Sequence, residues 1–449
     1  MSKQKIQLSD HFTYPRLLRF VLPAVGTMLF TSIYGIVDGL CVSNFVGKTA
    51  FAAVNLIMPL PQLLATIGFM LGTGGSAIVG ITLGEGDQKK ADRYFTLFLL
   101  AALVSVSVLA VLGIVFLRPI AVLLGAKGEL LDYAVRYGRI LMVSLPTFAL
   151  QNMFQSFFVT AEKPHLGFWF TVGAGCTNMV LDVLMVGVWG WGVEGAAIAT
   201  FISQLVGGVL PVFYFIDRSN SSRLHLCQTK VYGGVLRDAC INGSSELMTN
   251  LSMSLVNILY NFQLLRLAGE NGVAAYGVIM YAAFLFVAVF VGYAVGSAPI
   301  VSFHYGARNH AEVHNLYQKS LRLIAVVAVT MTAASMVIIP YVARIFVGYD
   351  AQLLALTNRA FRLYALSFLI MGFNVYASSF FTALGDGVTS ALISFLRTLV
   401  FQLAALLLLP ALWGIDGVWL AVTAAELAAL AVTVYMFVTK DQKFHYRHG

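Results

Sequence analysis

The segment GKTAFAAVNLIM (Gly47 to Met58) recurs in altered form as GENGVAAYGVIM (Gly269 to Met280), which indicates an internal repeat. The two are 222 residues apart. The same offset places WGVEG (Trp191 to Gly195) on WGIDG (Trp413 to Gly417). Further identities at this offset are Gly74 with Gly296, Ile78 with Ile300, Gly84 with Gly306 and Thr160 with Thr382. The chain is therefore predicted to consist of two copies of one structural unit.

The composition predicts that this duplicated unit lies in a lipid bilayer. Of the 449 residues, 59% are hydrophobic and only 11% are charged, whereas about a quarter of the residues in soluble domains are charged. Such a chain cannot cover a water-facing surface. Soluble secreted modules, nucleic-acid-binding proteins and cytosolic enzymes are therefore excluded as classes.

The apolar runs predict an all-α integral membrane protein with twelve transmembrane helices, because about 20 helical residues cross the hydrocarbon core. Six spans per half make the repeat parallel, so that two pseudo-symmetric six-helix lobes result. The expected first lobe is 1–216, the cytoplasmic linker 217–234 and the second lobe 235–449. The predicted spans 1 to 12 are Arg16 to Leu40, Ala50 to Thr82, Arg93 to Leu117, Leu131 to Ala161, Leu166 to Val188, Val193 to Ile216, Val235 to Leu265, Val273 to Phe303, Lys319 to Phe346, Arg362 to Ala383, Val388 to Leu412 and Gly417 to Val438.

Lysine and arginine predict the orientation of the chain in a cell membrane (inner or plasma). Eighteen of them fall on the side that holds both termini, nine fall on the other side and Arg397 lies inside a span. Because cytoplasmic loops carry the excess of positive charge, both termini are expected in the cytoplasm. The net charge of +8 then needs no nucleic-acid partner.

Two lobes around a central cleft are typical of transporters that work by alternating access. The sequence contains no DDxxD, HxxxxH, GxSxG or Walker motif, so neither an enzyme nor direct use of ATP is expected. No cofactor is expected either, and an ion gradient is the expected energy source. Each chain contains a complete predicted transport path, which favours a functional monomer.

Acidic residues inside the first lobe are the main functional candidates, since a charged side chain inside a bilayer is costly. Asp38 on span 1 and Asp182 on span 5 lie at similar depth. Tyr34 and Asn178 each precede one of them by one helical turn, and Thr200 on span 6 adds a hydroxyl. Such an oxygen cluster can bind Na+ or hold a proton. The alternative is that each acid only anchors its helix at the membrane interface.

The second lobe carries a polar stripe on span 7 and two further charged groups inside the membrane. The stripe consists of Glu246, Asn250, Ser254, Asn257 and Asn261, and it predicts either a cavity wall or polar packing between helices. Arg397 on span 11 is expected to pair with Glu246, although Glu426 on span 12 could compete. Weaker cavity candidates are Gln62, Gln151, Asn152, Gln155, Tyr281, Tyr293, Asn374 and Tyr376.

Over nearly its whole length the chain resembles the multidrug and toxic compound extrusion (MATE) family of the MOP superfamily. The segments that carry the resemblance are PAVGTMLFTSIYGIVDGLCVSNFVG (Pro23 to Gly47), GTGGSAIVGITLGEGD (Gly72 to Asp87), NMVLDVLMVGVWGWGVEGAAIAT (Asn178 to Thr200) and APIVSFHYGARN (Ala298 to Asn309).

The resemblance implies exchange of Na+ or H+ for an organic, usually cationic, compound. It also implies a cation site at Asp38, Asn178, Asp182 and Thr200, and a bend of span 1 at Pro23. The sodium-coupled branch of the family pairs an acid on span 7 with an Asp on span 10. Glu246 matches the first, but span 10 of this chain has no acid, which leaves that second site incomplete.

The sequence thus predicts a multidrug efflux antiporter whose cargo is a small organic cation. Acidic and aromatic residues in one cavity favour such a cargo. Other readings stay open, namely a lipid-linked oligosaccharide flippase of the same superfamily, an exporter of one specific metabolite, a passive channel and a membrane-embedded enzyme. A flippase is expected to have more basic residues in its cavity than Arg397 alone.

Overall fold

The computed structural model describes residues 6–45 and 48–446, which are almost entirely helical. The residues of the predicted basic side that fall outside this range are Lys3, Lys5 and Arg447. The helices are Tyr14–Phe45, Lys48–Ile57, Pro59–Gly84, Gln88–Leu123, Gly128–Thr160, Pro164–Asp182, Val183–Val188, Gly192–Gly208, Leu210–Ile216, Gly233–Gly306, His310–Val347, Ala351–Ala365, Phe368–Ala383, Gly387–Phe395, Leu396–Val400, Phe401–Trp413, Ile415–Thr439 and the short Asp441–Phe444.

These helices form twelve crossings. Among the described residues, nine helices are long and apolar enough to cross a membrane, and a tenth crossing is the pair Ala351–Ala365 and Phe368–Ala383, bent by 47°. Gly233–Gly306 has 74 residues and leaves helical geometry at Gly269, where φ is +62°, so it crosses twice. Gly128–Thr160, with 33 residues, completes the set. Numbered along the chain, these are spans 1 to 12.

Large apolar side chains cover the outside of the bundle. On span 3, Val104, Val111 and Val115 are each more than 60% exposed. A water-facing helix would carry polar residues at such positions, whereas lipid tails solvate valine well. The outer surface therefore fits a hydrocarbon environment, as the composition predicts.

Glycines allow the two lobes to meet closely, and the contacts follow the sequence repeat. A Cβ on Gly74 of span 2 would overlap backbone atoms of Ala239 and Gly243 on span 7, while a Cβ on Gly296 of span 8 would overlap Val21 on span 1. Gly74 and Gly296 are repeat partners, and Val21 is the repeat partner of Gly243. The lobe interface is therefore pseudo-symmetric.

A reciprocal contact closes this interface at one end of the bundle. A Cβ on Gly84 would overlap the carbonyl of Phe303, and a Cβ on Gly306 would overlap the carbonyl of Ile81. Spans 2 and 8 both end here, at the side where the described ends of the chain and the segment 217–232 lie. The lobes are thus packed together on the side of the termini, called the terminal side below.

The segment from Leu8 to Phe12, called the N-terminal strap, crosses this closed end and contacts both lobes. Leu8 N–H donates to Glu162 of the first lobe over 2.9 Å, and Phe12 N–H donates to Glu312 of the second lobe over 2.9 Å. The side chains of Leu8 and Phe12 are fully buried. Since the strap is fixed to both lobes, their separation at this end must break one set of these contacts.

We expect Glu312→Gln to weaken the strap. The Glu312 carboxylate also pairs with His11 at 2.6 Å and accepts a bond from Asn315 at 2.8 Å, and an amide cannot accept all three bonds. Charged hydrogen bonds of this kind contribute about 1.5 kcal/mol each, so thermal unfolding in detergent should show a loss of about that size. The exposed Glu85→Gln serves as the control, and equal unfolding temperatures for the two variants would contradict the expectation.

A buried carboxylate fixes the terminal-side end of span 11. Asp386 accepts hydrogen bonds from the backbone N–H and the hydroxyl of Thr389 and pairs with Lys440 at 2.9 Å. Burial alone would raise the pKa of Asp386, but the Lys440 ammonium and the Thr389 donors outweigh it and hold the pKa below its usual value. This ion pair ties the start of span 11 to the end of span 12.

Candidate functional site

Spans 1 and 5 approach each other closely in the half of the bundle away from the terminal side. Gly175 of span 5 permits this, because a Cβ there would lie 2.5 Å from Phe30 and 3.1 Å from Tyr34 of span 1. The absence of a side chain lets the two helices pack together just before Asp38 and Asp182. A larger residue at 175 would push span 1 away.

The carboxyl groups of Asp38 and Asp182 lie within hydrogen-bonding reach of each other. Asp182 is fully buried. Both Asp182 oxygens and Oδ1 of Asp38 have no donor among the described residues. Two ionised carboxylates can only accept, so this pair is incomplete until a proton or a cation lies between them.

The groups around this pair are polar but neutral. Asn178 is buried, and its Nδ2 has no acceptor among the described residues. The phenols of Tyr34 and Tyr137 interact electrostatically with the pair. Thr200 of span 6 stays a predicted member of this site: its hydroxyl donates to the Ala196 carbonyl of its own helix over 3.0 Å, and its oxygen can still accept a hydrogen bond or bind a cation.

Tyr137 of span 4 is the residue that sequence reasoning missed. It is fully buried and interacts electrostatically with both Asp38 and Asp182. Nothing in its local sequence marks it, because a tyrosine among apolar residues is ordinary in a membrane helix. Only the packing of span 4 against spans 1 and 5 brings it to the pair.

The helix geometry changes beside each charged group of spans 5 and 11. Span 5 continues beyond Asp182 as the π-helical turn Val183–Val188, and Arg397 lies within the π-helical turn Leu396–Val400. Such turns leave backbone groups less regularly bonded and are frequent at functional sites. The two lobes therefore interrupt corresponding helices near their charged residues.

Pro23 lies inside span 1, as the resemblance requires for a bend. Proline donates no N–H bond to the preceding turn, and the Thr27 hydroxyl donates to the Pro23 carbonyl over 2.9 Å. Pro23 is 15 residues before Asp38, which is roughly 22 Å along a helix. Span 1 thus has a weak point at a distance from the carboxyl pair.

The second lobe forms one wall of a cavity of about 690 Å³. Asn257, Asn261, Arg397 and Glu426 line it, as does Tyr281, whereas among the described residues the lining does not include Glu246, Asn250 or Ser254. The other lining residues are Asn55, Thr249, Met253, Val273, Tyr276, Gly277, Met280, Ala283, Phe284, Val287, Tyr364, Met371, Thr398, Gln402 and Val422.

The polar stripe of span 7 is satisfied partly within its own helix. Asn250 and Asn261 donate to the carbonyls of Glu246 and Asn257, each four residues earlier. Tyr276 of span 8 donates to Asn257 over 2.6 Å. The outer half of the stripe thus lines the cavity, and its inner half does not.

Arg397 pairs with Glu426, not with Glu246 as the sequence predicts. Its guanidinium lies 3.3 Å from Glu426 Oε1, and Asn374 donates to Oε2 over 2.7 Å. Thr433 in turn donates to Asn374 over 2.8 Å. Glu246 stays within electrostatic reach of Arg397, but the packing of span 12 against span 11 brings Glu426 closer.

This architecture matches proteins of known family. The MatE family profile matches residues 23–184 and 247–406, most of both lobes. The chain belongs to the MatE family of transporters. It is 21% identical over 430 residues to "Multidrug export protein MepA" of Staphylococcus saprophyticus, covering 95% of this chain and 94% of that protein. The Staphylococcus aureus protein of the same name is 21% identical over 431 residues, covering 96% and 94%.

Solved structures share the fold of this MatE protein. A structure described as the outward-facing conformation of a multidrug resistance MATE family transporter of the MOP superfamily aligns with a TM-score of 0.92 at 22% identity, covering 99% of each chain. A MATE in the straight conformation aligns with a TM-score of 0.90 at 22% identity, covering 99% of this chain and 100% of that one. The predicted all-helical fold, the family and the multi-pass membrane character are confirmed.

For this MatE protein we expect the Arg397 and Glu426 pair to be strongly coupled. Both side chains are largely buried, and removing one partner of a buried ion pair leaves the other uncompensated, at about 3 kcal/mol. Arg397→Met and Glu426→Gln should each lower the unfolding temperature in detergent, and the double variant should recover most of the loss. Additive losses in this double-mutant cycle would show that the two groups act independently.

Proposed function

We propose that this MatE protein is a secondary active antiporter that exports small organic cations in exchange for H+ or Na+ by alternating access. The observation that carries the proposal is the pair Asp38 and Asp182, in which both Asp182 oxygens and Oδ1 of Asp38 lack donors among the described residues. A buried pair of hydrogen-bond acceptors of this kind is suited to bind the proton or cation that drives transport. The named activity of the staphylococcal relatives supports export of drug-like compounds.

The coupling ion binds in the first lobe in this proposal. Asp38 and Asp182 supply the charge, Asn178 supplies an amide oxygen, and Thr200 and Tyr34 contribute hydroxyl groups. Hard cations such as Na+ prefer oxygen ligands, and a proton needs only the two carboxyl groups. The missed residue Tyr137 adds a third hydroxyl, on span 4.

The cargo binds in the cavity beside the second lobe. Its volume of about 690 Å³ lies within the range of about 300 to 1,000 Å³ typical of small-molecule sites. Tyrosine and phenylalanine rings attract cations through their faces, and methionines adapt to varied shapes. Glu426 and Arg397, the two charged residues of the described lining, pair with each other, so the lining carries no net positive charge that would repel a cation.

The two-lobe structure supports alternating access, with the proposed first lobe at 1–216, the linker at 217–234 and the second lobe at 235–449. The lobes are closed at the terminal side, so the cargo cavity belongs to the opposite side in this state. Ion binding at Asp38 and Asp182 and a bend at Pro23 then change the conformation of the first lobe. Coupling of about 1 to 3 kcal/mol between ion and cargo is sufficient for exchange.

The positive-inside rule supports a cell membrane location with both termini in the cytoplasm. The strap, the linker and the C-terminal residues lie together on the terminal side, where His314 contacts the Tyr446 carbonyl at 2.9 Å. The terminal side is then cytoplasmic and the cargo cavity faces outward. One chain holds both the ion site and the cargo cavity, so a monomer suffices.

The cavity does not favour the flippase reading. A lipid-linked pyrophosphate needs several free cations, and within the described residues the cavity lining contains one arginine and no lysine. That arginine already pairs with Glu426. The cavity therefore offers little positive charge to a pyrophosphate.

The test is efflux of a fluorescent cationic dye from proteoliposomes under a sodium gradient and, separately, under a pH gradient. Transport against the dye gradient under one of them supports antiport and identifies the ion. Dye movement that only follows its own gradient would indicate a channel and overturn the proposal. The protein could instead transport none of the cationic dyes and transport one metabolite under an ion gradient. That result would replace organic cations, as the proposed cargo, with this metabolite.

A further inference from the structure

A second cavity of about 670 Å³ lies at the terminal side, between the start of span 3 and the linker. It is distant from the carboxyl pair and from the cargo cavity. Its lining residues are Lys89, Asp92, Arg93, Arg218, His225, Cys227 and Gln228. We call it the linker pocket.

The linker pocket concentrates positive charge that the protein does not neutralise. Lys89, Arg93 and Arg218 have no ion-pair or hydrogen-bond partner for their side chains within the described part of the chain. Asp92 is the one acid in the lining, so the net charge of the lining is +2 even with His225 neutral. Arg218 lies within electrostatic reach of Asp92, which leaves Lys89 and Arg93 in excess.

The wall formed by the linker is held in place by hydrogen bonds to span 3. The backbone N–H of His225 donates to Asp92 over 3.0 Å, and the Thr229 hydroxyl donates to the Arg93 carbonyl over 2.8 Å. The backbone N–H of Cys227 donates to Thr96 over 3.1 Å. The pocket is therefore a defined part of the fold, and the Asp92 carboxylate already accepts a hydrogen bond from the linker.

The helix face below the pocket continues into the membrane as an apolar stripe. Lys89 and Arg93 are followed by Leu100, Val104 and Val111, which are all exposed. Lys89, Leu100 and Val111 are 11 residues apart, and 11 residues make three turns, so these side chains lie on one face. A ligand with a negative head and apolar chains matches this order of cations and then aliphatic side chains.

We propose that the linker pocket binds the phosphate headgroup of an anionic phospholipid, with the acyl chains along the exposed face of span 3. Lys89, Arg93 and Arg218 provide the cations for the phosphate. Basic pockets at this level of the membrane are suited to such headgroups. The lipid would thereby hold together span 3 and the linker that joins the two lobes, a role separate from cargo and ion binding.

The test is binding of dioleoyl phosphatidylglycerol to the purified full-length protein in detergent, counted by native mass spectrometry, with dioleoyl phosphatidylcholine as the neutral comparison. The variant replaces Lys89, Arg93 and Arg218 with glutamine. A matched control replaces Arg19, Arg322 and Lys443, three cations of the same side outside the pocket, with glutamine. Thermal unfolding of each variant shows that it remains folded, and Arg93→Gln alone provides a milder change.

We expect the parent to prefer phosphatidylglycerol and the pocket variant to lose roughly fivefold in affinity for each cation removed, with the control close to the parent. Arg93→Gln alone should show a smaller loss in the same direction. If both triple variants lose the same affinity for phosphatidylglycerol, the lipid responds only to general surface charge, and the proposal is overturned. Equal binding of the two lipids by the parent, or full displacement of the lipid by millimolar inorganic phosphate, would also overturn it.

Discussion

Replacing Asp38 or Asp182 with asparagine should reduce ion-driven dye efflux to the rate of empty vesicles. The two carboxyl groups lie within hydrogen-bonding reach of each other, and both Asp182 oxygens and Oδ1 of Asp38 are buried without donors among the described residues. An asparagine at either position donates through its amide to the remaining carboxylate and completes the pair permanently. Ion binding then no longer changes the charge of the site. Since coupling amounts to about 1 to 3 kcal/mol, its loss removes up to roughly a hundredfold in driven transport.

The matched control for this loss is Glu194→Gln, at the start of span 6 in the same lobe. Glu194 is half exposed and lies 3.8 Å from the exposed Arg136, an arrangement that contributes little to stability. Efflux by the Glu194 variant should equal that of the parent. All three variants should insert into the membrane, and none should unfold at a lower temperature than the parent. Normal gradient-driven efflux by both aspartate variants would move the coupling site to Glu246 in the second lobe.

The architecture could be predicted from the sequence because it depends on features that are local or repeated. Twelve apolar runs and one constant offset give twelve spans in a parallel repeat. The structure adds that the offset also governs contacts, since Gly74 meets Gly243 and Gly296 meets Val21. Helix length and hydrophobicity can be predicted from the sequence without knowing the distances between helices.

The polar residues of the first lobe are not repeated at the corresponding positions of the second lobe. The repeat partner of Asp38 is Tyr260, which is buried and stacked on Tyr276 with ring centroids 4.9 Å apart. The partners of Asn178 and Asp182 are Val400 and Ala404. A duplicated fold therefore holds an oxygen-rich pair in one half and an aromatic wall in the other. In the proposed mechanism, this asymmetry gives the ion and the cargo separate sites.

Contacts between distant spans could not be predicted. The sequence predicts that Asp38 and Asp182 lie at similar depth, and depth follows from counting residues along each helix. The presence of Tyr137 beside them, the choice of Glu426 by Arg397 and the strap across both lobes depend on the rotation of each helix about its axis. Hydropathy does not determine that rotation when several faces of a helix are apolar.

Closure of the lobes at the terminal side depends on close packing of span 7 against span 2. Gly243→Val should prevent closure on the terminal side and abolish transport, because a Cβ at this position would overlap the Met70 carbonyl. Backbone on both sides leaves no flexible side chain that could move aside. The lobes must therefore separate at this end, and a transporter that cannot close one side cannot alternate.

Opening can be measured through Cys240, which is half-buried three residues before Gly243 on span 7. In a background with the other three cysteines replaced by serine, a membrane-impermeant maleimide added from the terminal side should label Cys240 faster in the Gly243 variant. Gly35→Ala is the control, since nothing lies within 4 Å of a Cβ there, and it should keep both transport and slow labelling. If the folded Gly243→Val variant is labelled at the parent's rate, span 7 accommodates the valine by a local shift. The glycines would then not be required for closure of the lobes. Faster labelling with lost transport would instead tie the small residues of the lobe interface to the alternation itself, because the close contact that Gly243 and Gly74 permit is one that lets the two lobes meet.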